Sequence, residues 1–178
     1  MPLRDWLKNH RTDYSAVSNR LAAVNKTVMH GSISEAAEIL EKSYMFAVLS
    51  IKTERDRHEN AFVGHYTGNL TRKDAALETT YGGPKSGWIA DTFERVNWVD
   101  FATAVRFHAR NCNWKQLLEV TVNNLKGVSY RKASFMLAMV GFTEYMCIDS
   151  NVGRYAGIDT DTEFYSAENY MNECRDIY

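Results

Sequence analysis

Three side chains late in the sequence could do chemistry together: Arg131, Lys132 and Asp149. An ionised carboxylate beside a pocket can stabilise positive charge developing on a sugar and orient a nucleophile. A lysine that loses its proton can itself be that nucleophile. Arginine stays protonated at any working pH and cannot. Each residue also has a plainer reading. The apolar approach from Met146 to Ile148 delivers Asp149 to what reads as a helix N-terminus, where Asp is a common cap. The helix dipole there would also help keep the carboxyl ionised. Arg131 and Lys132 read equally well as a solvated basic pair.

The elements that must position these groups begin with Leu125 to Leu137. One helix ends near Leu125, Gly127 permits a tight turn, and a second helix starts near Tyr130. Backbone N–H groups at such a helix start, with the dipole behind them, favour a phosphate. Lys126, Gly127, Val128 and Ser129 are therefore candidate nucleic-acid contacts. On a helical wheel Ala133, Met136, Leu137 and Val140 share a stripe, with Arg131, Ser134, Phe135 and Ala138 roughly opposite.

The rest of the chain also reads as helical. Helices are expected over Arg4 to Thr27, from about Glu35 into Ser50, and over Leu70 to Thr79, Trp98 to Ala109 and Trp114 to Leu125. Ser32 or Ser34 can cap the second of these, and Thr71 is a candidate cap for the third. Gly31 and the stretch from Gly64 to Asn69 read as breaks. The charged run Glu54 to Glu59 reads as a solvated helix face. Tyr81 to Trp88 (Tyr-Gly-Gly-Pro-Lys-Ser-Gly-Trp) reads as a loop between helices, its residues in the wrong order for a phosphate-binding P-loop. No segment shows a sustained period of two, so the fold class is all-α.

Composition narrows the function. With 178 residues the chain can build one domain with a substantial core. A formal charge of -1 argues against a protein that coats polyanions, but leaves room for a local basic stripe. Cys112, Cys147 and Cys174 form no CxxC pair, so zinc ribbons and cysteine-held iron–sulfur clusters are not expected. Reduced thiols and a polar start, Met1 to His10, read as a cytoplasmic protein. The longest apolar stretch, Phe135 to Phe142, is too short to span a bilayer. No metal or other cofactor is expected.

The hairpin and its following aspartate resemble the signature of the helix-hairpin-helix–GPD superfamily of DNA glycosylases, which includes endonuclease III-like enzymes. Leu125, Gly127, Val128, Ala133, Leu137, Gly141, Ile148, Asp149, Val152 and Arg154 stand in matching places. Arg131 and Asp149 are 18 residues apart, the separation those enzymes keep between lysine and aspartate. The form Gly-Val-Ser-Tyr-Arg-Lys-Ala-Ser is similar to that of the small archaeal-type 8-oxoguanine glycosylase/lyases. Upstream, Phe46 to Thr53 resembles the segment that lines the family's DNA-facing cleft, and Lys52 falls where the family fills the gap left by an extruded base.

Three departures stand out. Ser129 replaces the hairpin's second glycine. Arg131 stands where a bifunctional member has its lysine, with Lys132 one step, about 100°, around the helix. Only 29 residues follow Asp149, where the family continues through further helices, so the chain reads as a fragment, a minimal member or a degenerate copy.

The resemblance implies a single two-lobed, all-α domain over residues 1–178, with its hairpin at about 117–140. One lobe would run from Ser32 to Asp149, and the other would join the N-terminal helix to the C-terminal segment. It implies a monomeric base-excision glycosylase acting on double-stranded DNA with a damaged, flipped-out base. Asp149 would be catalytic, and either water or Lys132 the nucleophile; the lysine would bring strand-cleaving lyase activity. The competing class is a non-catalytic helix-hairpin-helix DNA-binding protein derived from a glycosylase, which Ser129 and Arg131 favour. A helical interaction protein unrelated to DNA is a third, which the net charge favours.

Overall fold

The computed structural model describes residues 11–145 and 166–177, with side chains described over 15–145 and 166–174. Asp149, Val152, Arg154 and Cys147 lie outside the described residues. Every regular element described is a helix: α1 Arg11–His30, α2 Ile33–Leu49, α3 Arg55–Tyr66, α4 Arg72–Leu77, α5 Gly82–Arg95, α6 Trp98–Arg110, α7 Trp114–Asn124, α8 Tyr130–Met139 and α9 Ala167–Ile177. None of them is long and apolar enough to cross a membrane.

α2 is the axis of the molecule. Its residues Ala36, Ala37, Leu40, Tyr44, Met45, Ala47, Val48 and Leu49 are all buried, too many for one stripe. The helix is accordingly packed by α1, α3, α5, α6 and α8. A helix apolar on most sides belongs in the middle of its neighbours. Around it, α4 packs on α3 and α5, α6 on α7, and α7 on α8. α1 lies against α2 and α6, and α9 against α7 and α8.

The helix starts follow cap chemistry. Ser32 caps α2 with Glu35 in a reciprocal capping box, and Thr71 caps α4 with Asp74 in the same way. Ser32, rather than Ser34, is the cap, because only Ser32 has an acidic residue at the third helical position. Asn97 caps α6 by accepting from Val99 N and Asp100 N.

Three expectations are corrected. Gly64 does not break α3, which continues to Tyr66; the reversal falls at Gly68, whose φ of 81° a side chain would strain. Tyr81 to Trp88 is mostly helix. Tyr81 is the left-handed residue before α5 (φ 58°), and Pro84 sits in the first turn, where its missing N–H costs nothing. Gly82 is needed there, since a Cβ would lie 2.6 Å from the Leu77 Cα. Ser134, placed opposite the core stripe of α8, is buried, because α8 has helices on several sides: α2, α7 and α9.

Candidate functional site

The connection between α7 and α8 runs through Leu125–Ser129. Gly127 adopts φ 74°, and a Cβ on it would meet the Trp88 ring at 2.5 Å. Both the dihedral and the close approach therefore exclude a side chain. The preceding residue is clamped from two helices. Thr92 of α5 accepts from Lys126 N at 3.0 Å, and the Tyr44 hydroxyl of α2 lies 2.8 Å from Thr92 Oγ1 and 3.1 Å from both the Lys126 and Trp88 carbonyls. Burial raises the Tyr44 hydroxyl far above its ordinary pKa, so it stays a donor.

Val128 is buried beneath the turn, while Lys126 and Ser129 are exposed on it. Ser129 adopts φ -85°, an ordinary extended conformation, so serine fits where the resemblance would place glycine. Its side chain makes no cap bond to α8. The first-turn N–H groups of that helix thus have no hydroxyl cap, the arrangement an anion can use.

The two sequence blocks meet in space. Lys132 Nζ donates to Ser50 Oγ at 2.9 Å, across 82 residues, and lies 5.0 Å from the centre of the Phe135 ring. Ser50 has already given its own proton to the Ala47 carbonyl, so its oxygen is the acceptor. Lys132 and Arg131 are both half-buried. Lys132 is the one whose amine reaches the end of α2, and with it the segment that carries Lys52. Lys52 is exposed, holds a left-handed φ of 49°, and extends its amine over the Tyr81 ring at 5.5 Å. Tyr81 is itself left-handed and 55% exposed. Two strained, non-glycine residues thus stand side by side at one surface.

Beneath them is a group that sequence reasoning missed. Lys85 of α5 is completely buried. Its Nζ donates to the Leu49 carbonyl at 2.8 Å, Thr53 Oγ1 at 2.7 Å and Thr79 Oγ1 at 3.1 Å. Burial lowers its pKa to about 8, helped by Lys132 and Arg57 nearby. The signal was present: Lys85, Ile89 and Thr92 are spaced on one helical face, and all three are buried. Reading Gly-Gly-Pro as a loop hid it.

The charged run on α3 divides. Arg55 and Glu59 pair at 2.7 Å in solvent, as a solvated face would. His58 is buried and stacks edge-on against Phe46, whose ring also meets Phe62 and Phe135. An aromatic wall therefore backs the Lys132 amine.

Among the described residues no group of three or more His, Cys, Asp or Glu is placed to hold a metal ion. Compared with protein-family models, with curated proteins and with solved structures, the chain matches none.

Proposed function

We propose that the protein binds duplex DNA through the Leu125–Ser129 turn and excises a damaged base, with Lys132 as the reacting amine and Asp149 as the stabilising carboxylate. The observation that carries this reading is the meeting of Lys132 with Ser50, which brings the hairpin and the Phe46–Thr53 segment to one place. The glycosidic bond is inaccessible within a duplex, so the target nucleotide must leave the stack. Lys52 and Tyr81, exposed and conformationally fixed beside that place, would support the opened duplex.

The chemistry then balances on groups of this chain. The neutral amine attacks the sugar C1′, the glycosidic bond breaks with its electron pair leaving on the base, and the base takes up a proton. Asp149 offsets the positive charge that develops on the sugar. The nitrogen lone pair then opens the C1′–O4′ bond of the sugar, O4′ taking up a proton, to give a protonated imine; loss of a C2′ proton from it breaks the C3′–O bond, releases the 3′-phosphate and cuts the strand. Arg131 stays protonated throughout and serves as a charge for a phosphate.

The test is an excision assay on duplexes carrying a panel of oxidised, alkylated and deaminated bases, read with and without alkali, alongside borohydride trapping. Base release with a trapped complex is the expected result. Release that appears only as alkali-labile sites, without trapping, would assign a water nucleophile. Binding without release from any duplex would refute excision and leave the second reading, a non-catalytic binder. The uncapped start of α8 favours that reading equally, because phosphate contact needs no catalyst.

A further inference from the structure

We propose that Cys112 and Cys174 form an oxidation site: peroxide oxidises the exposed Cys112, and the buried Cys174 resolves it into a disulfide that staples α9 to the turn between α6 and α7. The inference stands apart from the reading of the protein as a glycosylase. Its first support is that two thiols from distant parts of the chain share one place. Both line a single cavity of about 460 Å³, with Trp114 and Lys115 on the α7 side and Met171 on the α9 side. A space of that size admits a small oxidant.

The second support is register. Glu119 of α7 accepts from Ala167 N at 3.1 Å, and Lys115, one turn earlier, pairs with Glu168 at 2.8 Å. α9 therefore runs antiparallel to α7. Cys112 stands seven residues before Glu119, and Cys174 seven after Ala167. At about 1.5 Å per helical residue both lie about 10 Å past that contact, at the same level. A disulfide needs Cα atoms within roughly 7 Å. Cys112 is in the turn, outside both helices, and Cys174 is in the last turn of α9, so neither is held in the middle of an element.

Exposure sets the order of events. Cys112 is exposed and meets the oxidant first, while Cys174 is buried against the helix pair. Cys112 also holds a left-handed φ of 53° just past the end of α6, so cysteine stands where glycine would be unstrained. The Cys112 thiolate attacks one peroxide oxygen, the O–O bond breaks, and hydroxide leaves to give a sulfenic acid. The Cys174 thiolate then attacks Cys112 Sγ, the S–S bond forms, the S–O bond breaks, and a second hydroxide leaves. The two thiol protons end in the two waters released, and the two electrons lost by the sulfurs reduce the peroxide.

The experiment treats the reduced full chain with hydrogen peroxide, blocks remaining thiols, and maps tryptic peptides without reduction. Trypsin places the three cysteines in three separate peptides, so each pairing has its own mass. The expected product is a Cys112–Cys174 cross-link within one chain. It should raise the thermal unfolding midpoint by roughly 5–10 °C, reversed by dithiothreitol. Cys147→Ser should leave both results unchanged, and Cys112→Ser should abolish both. Cys174→Ser should leave Cys112 as a sulfenic acid that dimedone captures. Oxidation of Cys112 beyond the sulfenic acid while Cys174 stays a thiol overturns the proposal. So does a cross-link that runs through Cys147 or between two chains, or a Cys112–Cys174 bond that leaves the midpoint in place. The peptide map of the unsubstituted protein decides the pairing even where a serine variant does not fold.

Discussion

On the proposed function, Lys132 and Arg131 divide two roles that the sequence alone left between them. Register against the family puts Arg131 at the nucleophile's place, but the amine that reaches the Phe46–Thr53 segment belongs to Lys132. Lys132→Gln is therefore expected to abolish borohydride trapping on lesion-containing DNA. Arg131→Gln should weaken DNA binding and leave a trapped complex detectable at saturating protein. Trapping that survives Lys132→Gln would send the search to another amine. Gly127 carries a different kind of constraint. Alanine there would be strained at φ 74° and would overlap the Trp88 ring. The expected cost is on the order of 2–4 kcal/mol, measured as a shift in the denaturation midpoint. A cost under about 1 kcal/mol would mean that the α5–hairpin contact yields easily. Ser129 teaches the opposite lesson. It departs from a glycine pattern, yet its backbone lies where any residue can go. A motif letter does not say whether its dihedral is needed.

At the scale of elements, local patterns were legible wherever the signal was local. The α8 stripe of Ala133, Met136, Leu137 and Val140 is buried as its periodicity requires, and Thr71 caps α4. The starts of α6 and α7 at Trp98 and Trp114 fall where the sequence places them. What failed depended on surroundings. The Gly-Gly-Pro start of α5 looked like loop because Gly82 answers to Leu77, a contact that no local pattern reports. Misreading that start concealed Lys85, whose partners come from two separate stretches of chain, Leu49–Thr53 and Thr79. The cap of α2 offers a direct test of the local reading. Ser32→Ala removes the hydroxyl that accepts from Glu35 N and donates to the Glu35 carboxylate, whose pKa those Ser32 bonds lower. It should cost about 1 kcal/mol in chemical denaturation, whereas Ser34→Ala should cost almost nothing. Equal costs at the two serines would contradict the assignment.

Across the whole molecule, the proposed function requires a net charge of -1 to coexist with a surface for DNA. The reconciliation is local: Lys126 and Lys52 are exposed, with Lys132 half-buried. Binding should therefore weaken with salt at a modest slope, with Lys126→Gln and Lys52→Gln each reducing it by roughly 0.9 if each lysine neutralises one phosphate. Affinity that is indifferent to salt would remove phosphate contact from the picture. The alkaline limb of stability tests the interior. Between about 8, where folded Lys85 gives up its proton, and roughly 10.4, the ordinary lysine value, the unfolded chain holds a proton that the folded one has released. Raising the pH through that window therefore favours the folded state. The buried tyrosines work the other way. Tyr44, Tyr66 and Tyr145 are all raised, chiefly by burial, and the Tyr145 hydroxyl also donates to the Trp114 carbonyl at 2.6 Å. Unfolded tyrosine ionises near 10, so the stability these groups confer is intact below roughly that pH and is lost as the pH climbs above it. Denaturation midpoints taken across this range should rise shallowly from about pH 8, turn over near pH 10 and then fall. Lys85→Met should flatten the rise, and Tyr44→Phe should soften the fall. A steady decline from neutral pH onward would show that Lys85 keeps its proton well above 8, and that the three-oxygen cage holds its ammonium more firmly than burial opposes it.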